Sequence, residues 1–109
     1  MVKITWYPQY NQLTIEGHAG AAPAGEDLVC AGVSAVWHTL AANAMAWEDM
    51  GYLRDLRMQE REGYCQMSYV PATRWKNLLS AIAGGIVLGL EWMAREYPEH
   101  ITFQRLGTG

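Results

Sequence analysis

Residues 16–30 read Glu16-Gly17-His18-Ala19-Gly20-Ala21-Ala22-Pro23-Ala24-Gly25-Glu26-Asp27-Leu28-Val29-Cys30. They predict a strand, a loop of small residues and a helix, in that order. Before the loop, Gln12 to His18 alternates apolar with polar residues, which is typical of a half-buried strand. After it, apolar residues recur at helical spacing from Leu28 to Trp47, and Asp27 is a suitable N-cap. This order fixes how the fold begins.

The flanking sequence extends this pattern to the whole chain. Residues 2–7 and 12–18 predict one hairpin, and residues 53–60 and 64–70 predict a second. A second helix is predicted from Pro71 to about Tyr97, and a last strand from His100 to Gln104. The order ββαββαβ predicts a single α/β domain over residues 1–109. In this two-layer sandwich, a mixed or antiparallel sheet carries both helices on one face.

Three glycines interrupt the predicted second helix, at Gly84, Gly85 and Gly89. Each lowers the intrinsic helix stability by roughly 1 kcal/mol relative to alanine. Their presence predicts that another backbone packs closely there. The first helix and a second subunit are the two alternatives.

Composition and charge exclude several classes of protein. The formal net charge is −3 and the eight Lys and Arg residues are scattered, so no basic stripe predicts direct nucleic-acid binding. The stretch from Leu78 to Leu90 is shorter than the roughly 20 apolar residues of a membrane span, and we expect no membrane association. Two cysteines and no apolar export segment at the start predict a cytoplasmic protein.

The chemistry predicted for the loop rests on His18 and Cys30, a base and a thiol at its two ends. With Asp27 as N-cap, Cys30 would lie in the first helical turn, where unpaired N–H groups and the helix dipole favour a thiolate. The thiolate would attack a carbonyl, His18 would protonate the leaving amine, and the free N–H groups would stabilise the oxyanion. Ser34, one turn beyond Cys30, could orient the nucleophile through its hydroxyl.

Simpler interpretations of the same residues stay open on chemistry alone. Cys30 could be a small buried apolar side chain, His18 a surface residue and Asp27 only a cap. His38 lies two helical turns beyond Cys30, too far to serve as its base, and Cys65 falls on the apolar face of a strand. Two cysteines without C-x-x-C spacing predict no metal site, and the glycines lack the order of a phosphate-binding loop, so no cofactor is expected.

Two segments carry a resemblance to a known family. Gly17-His18-Ala19-Gly20 and Gly25-Glu26-Asp27-Leu28-Val29-Cys30-Ala31-Gly32-Val33-Ser34-Ala35 resemble the ribosomal-processing cysteine protease family of Firmicutes. The eleven-residue gap between His18 and Cys30 and the Tyr97-Pro98 pair before the last strand agree with it. The resemblance extends over essentially the whole chain.

The resemblance implies a cysteine endopeptidase that removes an N-terminal extension from the twenty-seventh protein of the large ribosomal subunit. It implies that His18 is the base and Cys30 the nucleophile, with Gly17, Asp27 and Ser34 in supporting positions. It also implies a substrate loop that must move before a peptide enters, made of Ala19, Gly20, Ala21, Ala22, Pro23, Ala24, Gly25 and Glu26. The partners expected are the peptide segment of the precursor and a second copy of the chain in a homodimer.

The chain departs from the family pattern at Gly32, where alanine is more common, and at Ala21-Ala22, which replaces an aromatic-bearing loop sequence. These departures affect the expected substrate preference and leave His18 and Cys30 unchanged. One alternative in the same class is a phage-type member that trims a capsid or scaffold protein. Alternatives from other classes are a non-catalytic peptide-binding or ribosome-associated module and a redox-sensing thiol protein.

Overall fold

A computed structural model of the chain describes residues 1–17 and 23–107, with residues 23–27 described by their backbone alone. The strands are β1 (Val2–Tyr7), β2 (Gln12–Gly17), β3 (Leu53–Arg61), β4 (Tyr64–Pro71) and β5 (Ile101–Arg105). The helices are α1 (Pro23–Asp49) and α2 (Lys76–Glu96), and two short 3-10 turns cover Pro8–Tyr10 and Thr73–Trp75. The predicted order of strands and helices is confirmed.

The five strands form one mixed sheet in the order β3-β4-β2-β1-β5. Three neighbouring pairs are antiparallel, whereas β5 lies parallel to β1 at the sheet edge. The parallel pair requires a long crossover between the strands it joins, and α2 provides the last part of that connection. Of the two predicted sheet types, the structure has the mixed one.

The core lies between one face of the sheet and the two helices. Directly paired residues place Ile4, Ile15, Cys65 and Glu60 in one row across four strands, on the same face of the sheet. All five strands and both helices contribute to a single cluster of buried apolar side chains. The other face carries polar side chains, including Lys3. The predicted two-layer arrangement is therefore confirmed.

Met67 tests how strongly this core stabilises the fold. Its side chain is 1% exposed in the centre of the sheet, whereas Met50, just after α1, is 60% exposed. We expect Met67→Ala to lower the free energy of unfolding by about 2–5 kcal/mol, because it removes buried atoms and leaves a cavity. Met50→Ala removes the same atoms from the surface and should change it by less than about 0.5 kcal/mol. Urea unfolding measures both, and equal losses would contradict the packing described.

Two predicted helix starts are wrong. The structure begins α1 at Pro23, so Pro23, Ala24, Gly25 and Glu26 are helical residues and Asp27 is not the N-cap. Proline suits the first helical position because its φ is already helical and its missing N–H would have no partner there. Pro71 ends β4 instead of opening α2, which begins at Lys76 after the second 3-10 turn. His18 and residues 19–22 lie outside the described residues.

The close packing predicted at the helical glycines does not occur against α1. Apart from the backbone of α2 itself and the adjacent residues, a Cβ built on Gly84, Gly85 or Gly89 would meet no atom within 4 Å among the described residues. The two helices therefore meet elsewhere along α2, and the interpretation that assigned α1 as the partner is wrong. The alternative, a second subunit, remains a prediction.

The two helices are also longer than the apolar stretch considered in the sequence. The spans Leu28–Asp49 and Thr73–Glu96 are long and apolar enough to cross a membrane, judged by length and composition alone. Core helices of water-soluble proteins pass the same test, and both helices supply side chains to this core. On α2, however, the apolar residues also continue onto the exposed side, at Leu78, Ile82, Leu88 and Trp92.

Candidate active site

A cavity of about 360 Å³ lies between α1 and the half of the sheet formed by β2, β4 and β3. Its helix wall includes Cys30, Ser34 and Trp37, and its sheet wall includes Ile15, Cys65 and Glu60. The helix residues are spaced by four and three positions, which places them on one face of α1. The side of α1 that covers the core therefore also places the Cys30 thiol in the cavity, at the end nearer the helix N-terminus.

Cys30 and Ser34 both line the cavity, as their spacing predicted. Cys30 is half-buried and is a free thiol. Ser34 is exposed, and among the described residues its side-chain hydroxyl makes no hydrogen bond to Cys30. The structure therefore brings the two residues to one site without the direct contact that the sequence suggested.

The position of Cys30 within α1 changes the expected chemistry. Because the helix begins at Pro23, Cys30 is its eighth residue and lies about 10 Å from the helix start along the axis. Only the first four N–H groups of a helix lack intrahelical partners, and the dipole effect falls off within the first turn. The predicted oxyanion donors at the helix start are therefore too far from Cys30, and the first-turn interpretation is wrong.

Gly17 occupies a position that only glycine fits. Its φ is +97°, and a Cβ there would collide with the carbonyl oxygen of Met1. Its N–H donates a 2.8 Å hydrogen bond to the carbonyl of Gly63, in the turn between β3 and β4. Gly17 and Gly63 both line the cavity, so the backbone that leads into His18 is fixed at its edge. Glycine is thus required here for steric reasons, and the supporting role predicted for Gly17 stays a prediction.

The remaining predicted site residues are described only in part or not at all. His18, Ala19, Gly20, Ala21 and Ala22 lie outside the described residues, so the distance between His18 and Cys30 stays untested. Pro23, Ala24, Gly25, Glu26 and Asp27 are placed in the first turns of α1 by their backbone. Among the described residues, no group of three or more His, Cys, Asp or Glu could hold a metal ion.

Sequence reasoning missed a polar group at the far end of the cavity. The indole Nε1 of Trp37 donates a 2.7 Å hydrogen bond to Oε1 of Glu60, and Nε2 of His38 lies 3.3 Å from the same oxygen. All three residues line the cavity. The alternation of Leu56, Met58 and Glu60 was only a weak signal for it, because the pairing of β3 shifts where this series begins.

Cys65 also lines the cavity, although the sequence assigned it to the core alone. Burial raises the pKa of its thiol, and the negative charge of Glu60 raises it further. A raised pKa leaves less thiolate at neutral pH, and the thiolate is the reactive form. Cys65 is therefore poorly suited to nucleophilic attack.

One comparison with known proteins shows the family. A sequence model of the family described as "Cysteine protease Prp" matches residues 1–102. A search of curated proteins finds no match to the chain.

Solved structures share the fold over nearly their whole length. A crystal structure of the ribosomal processing protease Prp from S. aureus, with a covalently linked product peptide, has a TM-score of 0.75 at 20% identity, covering 97% of this chain and 100% of that one. The S. aureus protease with a substrate peptide has a TM-score of 0.69 at 21% identity, covering 96% and 97%. A Streptococcus mutans protein has a TM-score of 0.69 at 22% identity, covering 98% and 93%. At these identities the likeness shows the fold.

Proposed function

The chain belongs to the cysteine protease Prp family and is a cysteine protease, and from this premise we propose that Cys30 is its nucleophile and His18 its general base. The sulfur of Cys30 attacks the carbonyl carbon of a peptide bond and forms an acyl-enzyme. His18, which has taken the thiol proton, gives it to the leaving amine, and water then hydrolyses the thioester. The observation that carries this proposal is that Cys30 lines the cavity that also contains Gly17, the residue before His18.

The proposed substrate is the N-terminal extension of a ribosomal protein precursor, the twenty-seventh protein of the large subunit. The S. aureus relative is a ribosomal processing protease whose structures hold a substrate peptide and a product peptide. An extended peptide matches the cavity, which is open beside a half-buried thiol. The reaction would take place in the cytoplasm, where ribosomal proteins are made.

The purified precursor from the source organism tests this substrate. We expect the protease to make one cut that separates the extension from the mature protein, as mass spectrometry of both fragments would show. The mature ribosomal protein, incubated in parallel, should stay intact because it lacks the cleavage site. A precursor that stays uncut, while the enzyme cuts other peptides, would exclude this substrate.

We also propose that the chain forms a homodimer through the outer side of α2. Leu88 and Trp92, which are 55% and 60% exposed, lie one turn apart on this helix. The glycines beside them leave open space in which a second backbone could approach closely.

A charge on this surface should prevent dimerisation. We expect Leu88→Arg to give a monomer in analytical ultracentrifugation, because the arginine would be buried without a partner. Met45→Arg, at a residue of α1 that is 47% exposed, is the matched control and should leave the dimer intact. A wild-type monomer, or a Leu88→Arg dimer, would contradict the proposed interface.

A further inference from the structure

Glu60 is a charged residue on the helix-facing side of the sheet. It pairs with Cys65, which in turn pairs with Ile15, so its side chain continues a row that is otherwise apolar. A carboxylate on such a face is costly unless it is hydrogen-bonded or reaches water. The Glu60 side chain is 57% exposed and lines the cavity, so its charge is placed at the open end of the site.

One oxygen of the Glu60 carboxylate accepts a hydrogen bond from the protein, and the other is able to accept one from a further donor. Trp37 Nε1 and His38 Nε2 both approach Oε1, at 2.7 and 3.3 Å. Among the described residues, no hydrogen bond reaches Oε2. A carboxylate oxygen accepts more than one hydrogen bond. The group is therefore positioned by the protein and still able to bind a donor from a ligand.

The arginine that lines the cavity does not neutralise Glu60. The Arg61 guanidinium lies over the ring of Tyr64, with its carbon 4.2 Å from the ring centroid. No ion pair joins Arg61 to Glu60 in the part of the chain that the structure describes. The charge of Glu60 instead acts on the cavity, because it contributes to the raised pKa of Cys65.

The shape of the cavity indicates what Glu60 would bind. Ile15, Val33 and Trp37 give it apolar walls, which suit the methylene stem of a lysine or arginine while the charged head reaches the carboxylate. Trp37, which holds Glu60, lies about 10 Å from Cys30 along the axis of α1. An extended peptide rises about 3.3 Å per residue, so this distance corresponds to about three residues from the reacting bond.

We infer that Glu60 is a specificity-determining residue that binds a lysine or arginine side chain of the peptide, about three positions from the bond that Cys30 attacks. This inference rests on the proposed function and names one property of its substrate. It predicts that the protease distinguishes a cationic side chain from an uncharged one of similar length.

A random peptide library with lysine, arginine, norleucine or glutamate fixed at each position in turn tests the inference. Wild-type enzyme should cleave peptides with lysine at the recognised position about fivefold faster, in kcat/KM, than those with norleucine, as for a partly exposed ion pair. The preference should shrink at high ionic strength because salt screens such pairs. In Glu60→Gln it should disappear, and in Glu60→Lys it should shift toward glutamate.

Two features make these variants informative. Glu60→Gln keeps a side-chain oxygen that can accept from the Trp37 indole, so the cavity should keep its shape. Glu62→Gln removes the same charge from an exposed acid outside the cavity lining and should keep the wild-type preference.

The outcomes separate this inference from the proposed function. Cleavage that depends on Cys30 but treats lysine and norleucine alike would overturn the inference alone. A lysine preference that survives in Glu60→Gln would overturn it too. An enzyme that cuts no library peptide would contradict the proposed function, and the specificity inferred from it would fall as well.

Discussion

Cys30→Ser is expected to lower kcat/KM for peptide cleavage by at least about 10³-fold, because removing a nucleophile abolishes the covalent route. A serine hydroxyl in the same place has no comparable tendency to ionise at neutral pH. The variant should still bind peptide, since the cavity walls formed by Ile15, Val33 and Trp37 are unchanged. Cleavage rates measured by chromatography, together with binding of an uncleaved peptide by calorimetry, would separate the two effects.

The chain supplies a matched control for this experiment in Cys65. Both cysteines are free, half-buried and on the lining of the same cavity. The raised pKa of Cys65 leaves little of its thiol in the reactive thiolate form at neutral pH. Cys65→Ser should therefore keep activity close to that of the wild type. The reverse ranking, with Cys65→Ser inactive and Cys30→Ser active, would assign the nucleophile to β4 and contradict the proposed mechanism.

The same comparison tests the redox alternative. A thiol sensor would lose fast oxidation by peroxide in Cys30→Ser and would show no peptide cleavage in the wild type. A binding module would bind peptide equally well in both cysteine variants and cleave nothing.

Much of the site could be predicted from the sequence because strand alternation and helical spacing determine which residues share a face. The alternation of residues 12–17 and the helical spacing after Leu28 placed β2 and α1 on either side of one loop. The spacing of Cys30 and Ser34 placed both on one helical face, and the structure brings them to one cavity. Such periodicities depend only on backbone geometry, so they can be read without knowledge of the tertiary structure.

Glu60 was missed for a physical reason that lies in β3. Strict alternation from buried Leu53 would place Gln59 and Arg61 toward the helices and Glu60 toward the other face. The pairing with β4 shifts by one residue between Arg54 and Arg57, and Asp55 there adopts a φ of +54°. Such a bulge exchanges the two faces of the strand beyond it. The sequence contains no local signal strong enough to fix this extra residue.

The beginning of α1 and the role of the α2 glycines were misjudged for related reasons. Small residues and a proline after position 18 indicated a loop, yet proline is also suited to the first helical position, where α1 starts. Three glycines in α2 indicated a close backbone, but the described residues leave that space open. In both cases one residue type serves two structural purposes, and only the tertiary structure distinguishes them.

His18→Ala is expected to lower kcat/KM by about 10²–10⁴-fold, the range lost when a general acid-base group is removed. Without the imidazole, the Cys30 thiol loses the group that takes its proton and the departing amine loses its acid. His18 follows Gly17, whose backbone is held at the cavity edge by the bond to Gly63. This bond fixes the backbone of the residue immediately before His18, which is what the proposed role needs.

His38 provides the matched control, since it also lines the cavity but lies at the end near Glu60, away from Cys30. It lies about 12 Å from Cys30 along α1 and approaches Glu60, so it is too distant to take the thiol proton. His38→Ala should therefore change kcat/KM by less than about fivefold, the effect of losing one exposed pair. Added imidazole should restore part of the activity of His18→Ala and none in Cys30→Ser, because only the first variant keeps its nucleophile. If His38→Ala proves to be the inactive variant, the proton acceptor belongs to α1 and the pairing of His18 with Cys30 is wrong.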